Sequence, residues 1–188
     1  MSAIRIFPQQ MRWIDGDSTF SGNGDDVIEV PVNVTIHGPE THTWSKTQVP
    51  FAVSVGFQVR THVVVEPGFQ LWASGGHIRV QSDGSISAVG SPLDVVLFTA
   101  RPEVPGTWGG FWIESADARN EFEYVEIAYG GAPDFHNILL GGASYLEVRD
   151  SLIRDSAACG IRVPTGASLR LSDVDFDNNA GGDVCGPP

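Results

Sequence analysis

Residues 138–184, ILLGGASYLEVRDSLIRDSAACGIRVPTGASLRLSDVDFDNNAGGDV, hold two copies of one pattern and the start of a third. Ile138, Ile161 and Val184 stand 23 residues apart, and Leu146/Leu169, Val148/Leu171 and Ile153/Phe176 share the same shift. Inside each copy the apolar residues alternate over short runs, Leu146-x-Val148 and Leu169-x-Leu171, between Gly, Asn, Asp and Ser. Alternation with period two is the mark of a strand, and a fixed long period is the mark of a solenoid whose turns are a few short strands. A unit of this size cannot bury its own apolar face. It must stack on its neighbours, so the repeat predicts an all-β parallel solenoid with a continuous interior column of Leu, Val, Ile and Phe.

Upstream the same grammar continues without the strict period. Short strands are expected at Phe51 to Val55, Val63 to Val65, Phe69 to Trp72, Ile78 to Val80, Ile86 to Ala88, Val95 to Phe98, Phe111 to Ile113 and Phe122 to Ile127. The interruption at 100–107, with Pro102 and Pro105, reads as a projecting loop. Residues 1–48 do not follow the repeat and contain one strand-like run, Val27 to Ile36. They are assigned as an N-terminal cap, because the first coil of a solenoid otherwise leaves a strand edge open. Residues 49–188 form the β-helix domain, expected to hold about five or six coils over roughly 25 to 30 Å at ~4.8 Å per coil.

Composition narrows the functional classes. The chain has 188 residues, 41% of them hydrophobic, enough for one buried core. Its net charge of −12, from 23 acidic and 11 basic residues, opposes binding to nucleic acid. No apolar stretch approaches the ~20 residues of a membrane span, so membrane insertion is not expected. The first residues, MSAIRIFPQQMRW, show no signal-peptide pattern. The two cysteines, Cys159 and Cys185, sit three positions out of register on the 23-residue period. In a straight strand that offset is ~10 Å, beyond disulfide reach, and a bridge requires the chain to bend after Gly181-Gly182.

The order of Trp44, Pro50-Phe51-x-Val53, Val63-Val64-Val65-Glu66-Pro67-Gly68-x-x-Leu71, Val96-Leu97-Phe98-Thr99, Trp108-Gly109-Gly110 and Phe122-Glu123-Tyr124-Val125-Glu126-Ile127-x-Tyr129-Gly130-Gly131 resembles the right-handed parallel β-helix domains of bacterial secreted and surface proteins, related in fold to pectate lyases. The resemblance covers about residues 44 to 186. It implies an extracellular or cell-surface module for display, adhesion, or glycan or protein binding, and does not imply catalysis. A polysaccharide lyase or hydrolase is the alternative.

Two sets of residues are candidate sites. Aromatic residues in the repeat region, Trp72, Trp108, Trp112 and Tyr129, are candidates to stack on a sugar or anchor a protein. Either Trp112 or its neighbours Phe111 and Ile113 must face outward. The strand Asp173-Val174-Asp175-Phe176-Asp177 is expected to carry its three carboxylates on one face. Asp150 falls above Asp173, so Asp150, Asp173 and Asp175 are candidate Ca²⁺ ligands, with an Arg154/Asp177 surface pair beside them. No acid and base pair converges for catalysis, and the only lysine, Lys46, lies outside the repeat. Nothing in the sequence closes the coil end at Val184 to Pro188, so edge-mediated self-association or a flanking domain is the expected partner there.

Overall fold

A computed structural model describes residues 4–31 and 33–186 as a parallel β-solenoid with a single short 3-10 helix, Pro8–Trp13. β1 (Ile4–Arg5) precedes the first full turn, which lays down β2 (Ile28–Val30), β3 (Thr35–His37) and β4 (His42–Trp44). The second turn is β5 (Phe51–Val53), β6 (Phe57–Arg60) and β7 (His62–Val65), and the third is β8 (Gln70–Ala73), β9 (Ile78–Val80) and β10 (Ser85–Val89). The fourth is β11 (Val96–Ala100), β12 (Phe111–Ile113) and β13 (Glu121–Glu123). Next come β14 (Val125–Ala128), β15 (Ile138–Leu140) and β16 (Tyr145–Arg154), then β17 (Ile161–Arg162), β18 (Ser168–Asp177) and β19 (Val184–Cys185). Every strand pairing is parallel, and β16 and β18 run through a corner to serve two successive turns.

The stack is about eight turns, not five or six, or about 34 Å along its axis. Two facts account for the difference. Residues 28–44 pair in register with the following coil, Ile28 on Phe51, Ile36 on Val59 and Trp44 on Val65, so three strands of the expected cap segment stand in the stack itself. Turn length also varies. Phe51 to Leu71 is a short turn and Phe98 to Ile127 a long one, while Ile153 to Phe176 keeps the 23-residue spacing. The strand run expected from Val27 to Ile36 divides into β2 and β3; Val32 lies outside the described residues, as do residues 1–3, 187 and 188.

The interior column Ile28, Phe51, Leu71, Phe98, Ile127, Ile153 is buried throughout, each member against the coils above and below. Each such side chain contributes roughly 1.5 to 3 kcal/mol of transfer free energy. Aromatic rings join the turns: Phe69 stacks on Phe51 at 5.2 Å between centroids and lies 6.0 Å from Phe98. Ile138, Ile161 and Val184 pair in sequence as expected. The first two are fully buried, whereas Val184 is 44% exposed, because no described coil follows it. At the other end the 3-10 helix lies against β3 and β4 and buries Met11. Among the described residues no helix is long and apolar enough to cross a membrane.

Cys159 and Cys185 form a disulfide, with Cα atoms 6.1 Å apart. The straight-strand offset does not apply, because β17 is only two residues long and Cys159 lies in the bend before it. Gly182, at φ +100°, turns the chain back, and Gly181 passes so close that a Cβ there would meet the Cys159 amide nitrogen at 2.8 Å.

Replacing Ile161 by Asp would bury an unpaired charge between two coils and should cost at least about 4 kcal/mol. A denaturant midpoint close to that of the unmodified chain would refute the burial. Replacing both cysteines by serine lifts a constraint across 26 residues and should lower the unfolding free energy by about 3 kcal/mol. Urea titration of the serine variant reads this directly.

Acid should destabilise the fold in two stages. His42, His62, His77 and His136 are each held below the ordinary 6.5, chiefly by burial. Unfolding then takes up protons, so stability falls as pH drops through 6.5 toward the lowered folded values. Asp83, Asp117 and Glu147 are held below the usual carboxylate range by hydrogen bonds from Arg60, Arg119 and Arg149, with Asp117 at about 2. Their contribution is present above about pH 4 and is lost below it. Unfolding free energies at pH 8, 6, 5 and 3 should decrease in that order, and a flat profile between pH 8 and 5 would contradict the histidine stage.

Candidate functional site

A recess on an outer face lies on the strands β1, β2, β5 and β8. Their register places Arg5 on Glu29, Glu29 on Ala52 and Ala52 on Trp72, one outward column across four turns. Alternation forces this: Ile28, Phe51 and Leu71 point inward, so the residues beside them point out. Ala52 is the small member of the column. Between Glu29 and Trp72 it leaves a groove of about 420 Å³, rimmed by Asp25, Val27, Pro31, Ser54, Ser74 and Arg101. The far wall is the 100–107 loop expected from its prolines, which leaves β11 at Ala100 and contributes Arg101; Glu103 lines an adjoining recess with Trp72, Ala100 and Arg101.

Arg5 binds Glu29 through Nε and Nη2, both at 2.8 Å from Oε2. Arg101 is different. Its guanidinium lies 4.7 Å over the Trp72 ring and makes no ion pair among the described residues. Stacking on an indole holds the planar fork in place while leaving its N–H edge free to donate. The site can therefore present a pre-positioned cation, an aromatic edge and the hydroxyls of two serines to one ligand.

The remaining aromatic candidates do not join this groove. Trp108 is buried, with Nε1 donating to the Ala128 carbonyl at 2.9 Å, and belongs to the core. Trp112 does face outward from β12, while Phe111 and Ile113 are buried. Its ring is covered by Arg79 at 4.0 Å, and Arg79 is clamped by Glu114 through two hydrogen bonds of 2.7 and 2.8 Å. His77, stacked on Phe135 at 4.5 Å, lies beside it. Tyr129 lies under Arg154, which also donates to the Tyr129 hydroxyl. Three of the candidate aromatics thus each carry an arginine, and of these three only the arginine on Trp72 lacks a carboxylate; Arg170, 5.8 Å over Tyr145, likewise makes no ion pair among the described residues.

The acidic strand departs from its expected geometry. Asp173 has φ +53° and Asp150 φ +47°, so both sit at the corner where β18 and β16 turn from one face to the next. The alternation breaks there, and Asp173 does not share a face with Asp175 and Asp177. Asp150, Asp173 and Asp175 line one shallow groove, but among the described residues no three His, Cys, Asp or Glu converge to hold a metal ion. Asp173 accepts a hydrogen bond from Ser172. The set does not fit Ca²⁺, which takes six to eight oxygen ligands. Arg154 is in register with Asp177 yet pairs with Glu126, at 2.6 Å, and with Asp155. Arg149 likewise reaches back along the stack, to Glu121 and Glu123, and also pairs with Glu147 on its own strand.

Sequence reasoning found Trp72 and the loop but missed Arg5, Glu29, Ala52 and Arg101 as partners. They are scattered over almost a hundred residues with unequal spacing, so no local signal unites them. No protein-family model, no curated protein and no solved structure matches this chain.

Proposed function

We propose that this chain is a non-catalytic, extracytoplasmic binding module that holds a saccharide bearing an acidic group in the Trp72 groove. The observation that carries the reading is Arg101, stacked on Trp72 at the wall of the groove and unpaired with any carboxylate among the described residues. An arginine so placed favours a planar carboxylate. The serine hydroxyls and the indole edge suit the hydroxyls and C–H face of a sugar ring. The net charge of −12 disfavours a long polyanion, so the fitting ligand is an otherwise neutral glycan with an isolated uronate.

Binding without turnover follows from how the acids are engaged. Glycoside hydrolysis needs two carboxylates at controlled separation, one as acid and one as base or nucleophile. Two carboxylates line the groove: Glu29 is tied by Arg5 on two nitrogens, and Asp25 is engaged as well. The disulfide supports an oxidising compartment, as does the resemblance to β-helix domains of secreted and surface proteins, related in fold to pectate lyases.

Titration calorimetry with a uronate-containing oligosaccharide and its neutral counterpart tests the proposal. The acidic ligand should bind more tightly. Arg101→Ala should weaken that binding about ten- to hundred-fold, the size of one lost charge-assisted hydrogen bond, and Trp72→Ala should weaken it comparably. Equal affinity for the two sugars would reject the site. Shortened oligosaccharide in the recovered ligand would replace the binding reading with the lyase or hydrolase one.

A further inference from the structure

Two recesses meet at one ridge. The groove of about 420 Å³ on Ala52 and the recess of about 300 Å³ at Glu103 share Trp72 and Arg101, so the stacked guanidinium and indole stand between them. Both volumes fall within the roughly 300 to 1,000 Å³ of small-ligand sites. Ala100, the last residue of β11, lines the second recess, and the loop that follows is fixed at both ends. The Arg101 amide donates to the Ala73 carbonyl at 2.8 Å, and the Gly106 amide to the Gly130 carbonyl at 2.9 Å. The Thr107 hydroxyl lies 3.1 and 2.7 Å from the Pro102 and Val104 carbonyls. Glu103 is therefore presented by a braced segment rather than by a free loop tip.

Glu103 is exposed and makes no hydrogen bond or ion pair among the described residues. Arg101, two positions before it, makes no ion pair either. The spacing does not forbid one: Asp117 and Arg119, also two apart, close into an ion pair at 2.6 Å. At 101 and 103 the pair is forgone because the guanidinium lies on Trp72. The site thus holds one open cation on the ridge and one open anion in the recess beside it. A single free carboxylate is not the pair that glycoside hydrolysis needs. We infer that the site has two subsites and takes a zwitterionic saccharide, a uronate in the Ala52 groove joined to a sugar with a free amine at Glu103, which rests on the groove holding the uronate. A carboxylate accepts from hydroxyls as well as from an ammonium, and charge decides between them. A uronate in the first recess and Glu103 in the second are like charges across one indole, on a chain of net charge −12. A neutral second sugar leaves that repulsion in place. An ammonium pairs with Glu103 and leaves the ligand without net charge for the chain to repel.

Titration calorimetry on the full chain at about pH 6, where carboxyl groups are ionised and amines protonated, compares glucuronic acid, glucuronic acid linked to glucosamine, and the same disaccharide N-acetylated. The free-amine disaccharide should bind about five-fold more tightly than the N-acetylated one, the size of one exposed ion pair, and more tightly than the monosaccharide. Glu103→Gln, at an exposed position, should erase the preference for the amine and bind the monosaccharide no more weakly than the unmodified chain does. Equal affinity for the two disaccharides overturns the charge pairing. A disaccharide bound no more tightly than the monosaccharide overturns the second subsite, and an amine preference that survives Glu103→Gln overturns the role of Glu103. The groove reading fails by a different result, loss of the preference for a uronate over its neutral counterpart, which Glu103→Gln should leave intact. No binding of any of the three probes removes both.

Discussion

The structure depends on one constraint: a single coil of short strands has no interior of its own. Phe98 is buried because Leu71 lies below it and Ile127 above it, and the same holds for every member of the column. Backbone pairing obeys the same rule, since each strand's donors and acceptors are satisfied by the turns before and after. Stability is therefore shared between neighbours rather than owned by any segment. The rule fails only at the ends. Residues of identical type and register, Ile161 and Val184, differ from fully buried to nearly half exposed through position in the stack alone.

Corners are where the sequence turns polar for structural reasons. Tyr124, Asp150 and Asp173 all take positive φ at one corner, and Tyr129, Asp155 and Asn178 do so at the next. Asp and Asn tolerate this conformation because a short polar side chain can bond locally. Asn178 donates to Asp155 one turn away, and buried Asn137 binds the Gly130 amide and the Ile127 and Arg154 carbonyls. Part of the acidity that looks like a binding face is thus the cost of turning a chain this tightly.

On the outer faces, electrostatics are organised around few cations. Arg149 serves three glutamates and Arg154 a glutamate, an aspartate and a tyrosine, so adjacent turns are cross-linked by shared arginines. Such exposed pairs contribute little individually, but they keep stacked carboxylates from repelling. Against this background Arg101, held on an indole without a carboxylate among the described residues, stands apart, and it lies at a recess that a small residue, Ala52, opens in the column. A rigid stack supplies the floor of that recess and an irregular loop supplies its wall, the usual division of labour between scaffold and site.

The 23-residue spacing of Ile138, Ile161 and Val184 determined the solenoid, because period and alternation are properties of the chain itself. The alternation around Trp112 likewise left only two orientations to choose between. Turn number was not legible, since coils of unequal length stack equally well once their interior residues align and the period dissolves upstream. The disulfide depended on a bend that no straight-strand count includes. Asp173 left its expected face because one positive φ reverses everything beyond it. The groove was least visible of all: Arg5, Glu29, Ala52, Trp72 and Arg101 become neighbours only when four turns are laid on one another. Local pattern decides what each turn is, and only the stack decides which residues from different turns stand side by side.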